Sequence, residues 1–252
     1  MTRRRWIADQ VEGDRAILLG QNAHHLARVL RAKVGQEFAI VCQDQAGGDR
    51  VRLGRIATIA EERVVFDLGE TVEQAESRHV TLLLAVFKFD RMEWAIEKAT
   101  ELGVTAIQPV IARRTDAHLA TAAGKRVERW RRIVHEAAQQ SRRVSAPEVA
   151  EPLKLKDALV VEGMKIVLAE TDADFSLGEV LAKCGDGGIV LAVGPEGGWA
   201  EDEMEQFRGA GWATASLGPT VLRAETAAIA GLAIVLAAPV FPQKQGSLPD
   251  FQ

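Results

Sequence analysis

The feature that most limits how this chain can fold lies near its C-terminal end, Gly188-Ile-Val-Leu-Ala-Val-Gly-Pro-Glu-Gly-Gly-Trp-Ala-Glu-Asp-Glu203. Ile189 to Val193 is an unbroken apolar run, the pattern of a short strand covered on both faces. Gly194-Pro195-Glu196-Gly197-Gly198 then turns the chain into an acidic helix start. The same unit recurs once: a strand at Ala213 to Leu217 runs into Leu217-Gly-Pro-Thr-Val-Leu-Arg-Ala-Glu-Thr226, which opens the last helix. Two strand, Gly-Pro turn, helix units point to an α/β protein with a largely parallel sheet. Such sheets hold ligands in a crevice outside the carboxyl ends of their strands.

The turns restrict what that ligand is. Neither a G-x-G-x-x-G nor a Gly-Lys-Ser/Thr closure is present, so the dinucleotide and P-loop phosphate sites are not indicated. A helix N-terminus attracts anions through its dipole, but Glu196, Glu201, Asp202 and Glu203 already crowd this one. A polyanion is repelled, and a nucleoside with a positive centre is accommodated. The alternative is a plain connection whose helix is capped by its own carboxylates.

At 252 residues the chain suffices for one large domain or two modest ones. Residues 1–70 read as short β-rich runs (38–42, 51–59, 64–66) punctuated by Gly35, Gly47, Gly48 and Gly69, with one helix at Asn22 to Arg31. That is the texture of a small β-barrel, with Arg3, Arg4, Arg5, Arg28, Arg31 and Lys33 available to one surface. A polar linker is expected over 71–79, before a second domain at 80–252. There, a strand at 80–87 leads to a helix for which Asp90 and Glu93 suggest a capping box and Gly103 an end. A strand at 104–110, a basic helix at 123–141 and a strand at 166–169 follow, and Ser176-x-x-Glu179 marks another helix start. Five strands alternating with five helices imply a mostly parallel sheet covered on both faces. The helix from Glu225 to Ala237 is apolar all round, so it needs cover from its own domain and a partner subunit. Arg223, beside Glu225, either pairs with that carboxylate or faces the site made by the two turns.

Charge is unevenly spread. The net charge is −4, yet residues 111–145 hold 9 Lys/Arg against 3 Asp/Glu, while 146–252 hold 7 against 16. One basic face beside an acidic half fits contact with an anionic polymer, although a solvated helix face has the same composition. Cys42 and Cys184 form no C-x-x-C, so neither a disulfide framework nor a zinc site is indicated, and a reducing cytoplasm is the default. The longest apolar run, Ala227 to Ala238, is too short to cross a bilayer.

Three stretches together, Val193-Gly-Pro-Glu-Gly-Gly198, Leu217-Gly-Pro219 and Leu222-Arg-Ala-Glu-Thr-Ala227, resemble the SPOUT-type methyltransferases. Within them the chain is similar to the RsmE family, which methylates N3 of a uridine in small-subunit (16S) ribosomal RNA. His25-Leu-x-x-Val-Leu-Arg31, Met92 to Val104, and Gln140 to Arg143 with Pro147-Glu148 agree. Lys88-Phe89-Asp-Arg91 lacks that family's glycine, Arg142 and Ser145 replace a glycine and an arginine, and Ala224 replaces a threonine. The resemblance implies a PUA-like barrel at 1–70 and a knotted α/β domain at 80–252 acting as a homodimer through its last helix. It implies an S-adenosylmethionine pocket walled by Leu168, Glu170, Gly194, Glu196, Gly197, Gly198, Leu217, Gly218, Leu222 and Thr226. Removing the N3 proton requires a base, for which Glu225 and Glu196 are the candidates, and Arg223 is placed to stabilise the resulting anion. Arg3, Arg4, Arg5, Arg28, Arg31, Arg129, Arg132, Arg142 and Arg143 are the candidates for RNA phosphates. A ribose 2′-O-methyltransferase of the same fold and a non-catalytic RNA-binding module are the rival readings.

Overall fold

The structure is a computed structural model, and it describes residues 5–43, 49–60, 62–72, 78–141, 143, 145–170, 173, 175–185 and 187–238. It divides into two compact units, Met1–Glu76 and Ser77–Gln252. Arg3, Arg4 and Arg142 lie outside the described residues.

The first unit is one six-stranded sheet. Its strands are β1 (Arg5–Ile7), β2 (Gln10–Glu12), β3 (Arg15–Leu19), β4 (Glu37–Gln43), β5 (Asp49–Ile59) and β6 (Arg63–Thr71), in the order β1-β4-β5-β6-β3-β2. All neighbours are antiparallel except β1 and β4. The two edge strands are consecutive in the chain, joined by Ala8 and Asp9, whose amides donate to Val41 O and Ile17 O at 2.9 Å. The edges therefore meet, and the sheet curls into a small barrel around Leu18, Ile40, Ile56 and Phe66. The single helix expected at 22–31 is instead α1 (Gly20–His24) running into a π-helical turn, His25–Val29. Arg31 leaves that turn with φ 51°, a left-handed conformation for a non-glycine residue.

The second unit is built on an eight-stranded sheet in which every recorded pairing is parallel. Its strands are β7 (Val80–Ala85), β8 (Ala106–Ile111), β9 (Glu148–Val149), β10 (Leu153–Lys154), β11 (Met164–Leu168), β12 (Phe175–Ser176), β13 (Ile189–Val193) and β14 (Ala213–Ser216). The order is β10-β8-β7-β13-β11-β14-β12, with β9 also on β8. The helices are α2 (Phe89–Leu102), α3 (Ala117–Ala122), α4 (Val127–Ser141), α5 (Leu155–Ala158), α6 (Leu177–Leu181), α7 (Glu201–Gly209) and α8 (Ala224–Ala237).

Strand β13 is central and wholly buried because each of its faces feeds a different core. Ile189, Leu191 and Val193 pack with Leu82 and Leu84 against α2, α4, α6 and α8. Val190 and Ala192 pack with Leu83 and Ala85 against α5 and α7, where Trp199, Phe207 and Trp212 stack edge-on at 4.9 and 5.0 Å. Alternation of side chains along a strand thus turns an unbroken apolar run into two half-cores.

Two local expectations differ from what forms. The capping box at Asp90 does not, because the helix starts earlier: Met92 N donates to Lys88 O at 2.9 Å, which leaves Asp90 inside the first turn. Glu93 is engaged by Arg129 and Arg126 instead. The basic helix expected at 123–141 begins as a 3₁₀ turn at Ala123–Arg126 and continues as α4, with α3 directly before it. The Ser176–Glu179 box forms fully, with Ser176 N donating to the Glu179 carboxylate at 2.8 Å and Glu179 N to Ser176 Oγ at 3.3 Å.

Candidate active site

The carboxyl ends of β11, β13 and β14 lie side by side, and the loops leaving them enclose a cleft of about 450 Å³. Leu168, Ala169 and Glu170 supply one side, the stretch from Val193 to Trp199 a second, and Leu217 to Leu222 a third. Ala224 and Ala227, in the first turns of α8, close the inner end. The two turns need their glycines for stated reasons. Gly198 and Gly218 adopt φ +69° and +129°, and a Cβ on Gly194 would sit 3.2 Å from the Trp199 indole nitrogen. Behind the cleft, α8 approaches the sheet closely at Gly231, where a Cβ would lie 2.9 Å from Leu168 Cδ1 and 3.1 Å from Leu191 Cδ2.

The acidic start of α7 has a definite internal use. Glu203 is 4% exposed, yet both of its oxygens are bonded to backbone. Oε2 accepts from Ala200 N at 2.9 Å, closing the helix end, and Oε1 accepts from Arg113 N at 2.8 Å. Asp202 pairs with the Arg113 side chain at 2.6 Å. These contacts bring in a fourth loop, the one after β8. Arg114 then lies along the glycine turn, donating from Nη1 to Gly197 O at 2.6 Å, and joins the cleft wall. Thr115 anchors the far end of this loop, its hydroxyl donating to Val86 O at 2.9 Å and accepting from Ala112 N at 3.2 Å.

Of the residues singled out from the sequence, Leu168, Glu170, Gly194, Gly197, Gly198, Leu217, Gly218 and Leu222 line the cleft, whereas Glu196 and Thr226 are exposed and off its wall. Arg223 is exposed at the start of α8. It does not pair with Glu225: the buried Glu225 carboxylate meets Arg91 Nη1 of α2 at 3.5 Å, and its buried Oε2 has no hydrogen-bond partner among the described residues. The side chain of Glu225 projects toward α2, where topology supplies a guanidinium that no sequence spacing announces. The arginines of the basic segment divide. Arg129 bonds both oxygens of Glu93 at 2.8 Å, and Arg143, half-buried, donates to Thr100 O at 2.9 Å near the end of α2. Burial pushes the Arg143 pKa down. Arg132 is exposed, with no ion pair recorded among the described residues. In the first unit, Arg28 and Arg31 flank the end of the π-helical turn, and Arg5 opens β1. Arg114 escaped the sequence reading, although two arginines directly after a strand of a parallel sheet stand where ligand crevices open.

A parallel α/β unit with a nucleoside-sized cleft at its strand ends defines a class, and residues 74–236 match the family model described as RNA methyltransferase domain. Ribosomal RNA small subunit methyltransferase E of Synechocystis sp. is 36% identical over 218 residues, covering 83% of this chain and 69% of that protein. The protein of that name from Mycobacterium tuberculosis is 33% identical over 234 residues, covering 87% and 85%. The crystal structure of the Neisseria gonorrhoeae protein of the same name, bound to S-adenosyl methionine, superposes with a TM-score of 0.67 at 29% identity, covering 91% of this chain and 94% of that one. The chain belongs to the ribosomal RNA small subunit methyltransferase E family. Among the described residues no helix is long and apolar enough to cross a membrane.

Proposed function

We propose that the protein transfers a methyl group from S-adenosylmethionine to N3 of a uridine in 16S ribosomal RNA of the small subunit, in the cytoplasm. One observation carries the reading most: two Gly-Pro turns enclose a cleft whose walls combine apolar side chains with two carboxylates, Glu170 and Glu201, and the Arg114 guanidinium. The residues fit the cofactor. Leu168, Val193, Leu217, Leu222 and Ala227 offer an apolar slot for a purine, and the two carboxylates suit hydroxyl donors and a cationic centre. When bound, the cofactor supplies an electrophilic methyl group, so the chain's tasks are to orient it, exclude water and prepare the base.

Uracil N3 carries a proton and attacks only after losing it. Neither candidate base stands on the cleft wall: Glu225 turns toward Arg91 of α2, and Glu196 projects from its turn into solvent. Arg223, exposed beside the cleft residues Leu222 and Ala224, is assigned the negative charge that builds on the uracil oxygens. Glu196 and Thr226 are then turn and helix residues outside the cofactor's reach. For RNA phosphates we retain Arg132 in the second unit and Arg28 and Arg31 in the first.

The family likeness also carries a knotted chain path and a homodimer. The dimer is supported by α8, which leaves Ile229, Ala230, Ala233 and Ile234 only partly covered, Ile234 being 41% exposed. Sedimentation giving a monomer at micromolar concentration would remove the dimer. The function is tested by mass spectrometry of ribosomal RNA from cells lacking the protein, with complementation by wild type and Arg223→Ala. Loss of an N3-methyluridine, restored only by wild type, is expected; a missing ribose methylation, or none, overturns the reading.

A further inference from the structure

Among the described residues the cleft has a single cation on its wall. Arg114 lines it together with the carboxylates Glu170 and Glu201, and every other described lining residue is uncharged. Its guanidinium is fixed rather than free. One nitrogen, Nη1, is committed to Gly197 O at 2.6 Å, and the side-chain stem lies on the glycine turn, with Cδ 3.4 Å from where a Gly197 Cβ would be. The loop bearing it is held by Glu203 through Arg113 N and by Thr115 through Val86 O. No partner is recorded among the described residues for its remaining N–H donors, and the residue is exposed. Arg114 also walls the shallow groove just outside, shared with Arg113, Glu201, Asp202 and Glu205. There Arg113 is already neutralised by Asp202 at 2.6 Å, which leaves Arg114 as the unneutralised arginine at the mouth.

A guanidinium held by one edge and open on the other is a receptor for an oxyanion. Its position selects which one. A group meant for the cofactor's carboxylate belongs inside the cleft, whereas Arg114 is exposed and lines both the cleft and the groove outside it. We propose that Arg114 binds a phosphate of the RNA backbone next to the target nucleotide, and so fixes the register of the base at the cleft. This rests on the methyltransferase reading above. The bond to Gly197 O fixes the direction in which the guanidinium presents its remaining N–H groups at the cleft mouth. A phosphate contact of this kind positions the substrate without reading its sequence.

The test uses the full-length protein and Arg114→Ala and Arg114→Lys variants. Affinity for a short 16S RNA stem-loop is measured by fluorescence anisotropy across a potassium chloride series, and S-adenosylmethionine affinity by calorimetry. The alanine variant should bind the RNA on the order of tenfold more weakly and lose about one unit of salt slope, the share of one phosphate contact. Its cofactor affinity should stay within about twofold, and lysine, which keeps the charge, should restore most of the slope. An unchanged slope in the alanine variant overturns the proposal. So does a loss confined to the cofactor, which assigns the arginine to its carboxylate, and so does an equal loss of both ligands with a lowered melting temperature, which makes it only a brace. Wild-type protein that binds neither ligand overturns the methyltransferase reading itself, whereas wild type binding both beside an indistinguishable alanine variant sinks only this inference.

Discussion

Glu203 is the residue whose removal should separate the two loops that frame the glycine turn. Its carboxylate is buried, and it accepts one bond from Ala200 N, which is buried, and one from Arg113 N, which is partly so. Hydrogen bonds to a charged group contribute about 1.5–3 kcal/mol each. Water can reach Arg113 N after the change and offset part of its loss, whereas Ala200 N is stranded, so the first bond counts near the lower end and the second near the upper. A carboxylate in the first turn of a helix adds about 0.3–1 kcal/mol through the dipole. Part of the sum is recovered by relaxation, and Glu203→Ala should cost about 3 kcal/mol, roughly 6–12 °C in melting temperature for a unit of this size. Glu203→Gln keeps one acceptor but turns an NH₂ toward the second backbone N–H, so it should lose about half as much. Calorimetry supplies the melting temperatures, and near-ultraviolet circular dichroism follows Trp199 and Trp212, which stack on Phe207 of the same helix. If the alanine variant melts within about 2 °C of wild type, or the glutamine variant is the worse of the two, the carboxylate is not the tie described.

Other changes are similarly exposed to measurement. Gly231→Ala gains about 1 kcal/mol of helix propensity, but its Cβ would meet Leu168 Cδ1 at 2.9 Å; overpacking costs about 1–3 kcal/mol. The variant should be neutral to slightly destabilised while S-adenosylmethionine binding weakens, because Leu168 also walls the cleft; a more stable protein with unaltered binding refutes this. Arg143→Ala should lose about 1–2 kcal/mol of stability with its bond to the end of α2, whereas Arg132→Ala should leave urea midpoints unchanged and flatten the salt dependence of RNA binding; the reverse pattern would reassign both. Burial pushes the thiols of Cys42 and Cys184 up from their ordinary pKa. Folding therefore favours the protonated thiols, and this contribution is whole below the unfolded value near ~8.5 and fades as pH climbs through the higher folded values. Ellman's reagent at pH 8 should react with neither thiol until urea unfolds the chain, and prompt reaction of the native protein would contradict their burial.

What could be read directly from the sequence is what neighbouring residues decide. The run Ile189 to Val193 is apolar at every position because both faces of β13 are covered, and no partner need be known to see it. The Gly-Pro turns and the Ser176–Glu179 box are likewise written within a few residues of chain. Pairing between distant charges is not. Glu93 is claimed by Arg129, 36 positions away, which removes from the basic face a residue that composition alone assigns to RNA. Arg143 is spent on a carbonyl 43 positions away. Glu225 finds Arg91 rather than Arg223, since α2 and α8 pack side by side on the sheet and the helix turns residues 223 and 225 to different sides. The same logic hid Arg114, whose place on the cleft wall depends on β8 lying two strands from β13 and on a carboxylate of α7 reaching across to its loop. The two-residue strands β9, β10 and β12 are too short to carry any periodicity, so they exist only by docking onto neighbours. Helix α8 is the converse case. Its pattern is apolar throughout, so sequence cannot choose a face; Gly231 chooses it, because only the side without a Cβ there can approach Leu168 and Leu191 closely enough to bury Ala228, Leu232 and Val235. The opposite side stays apolar and partly open, and a helix with no polar face gives up more by remaining solvated than by finding cover.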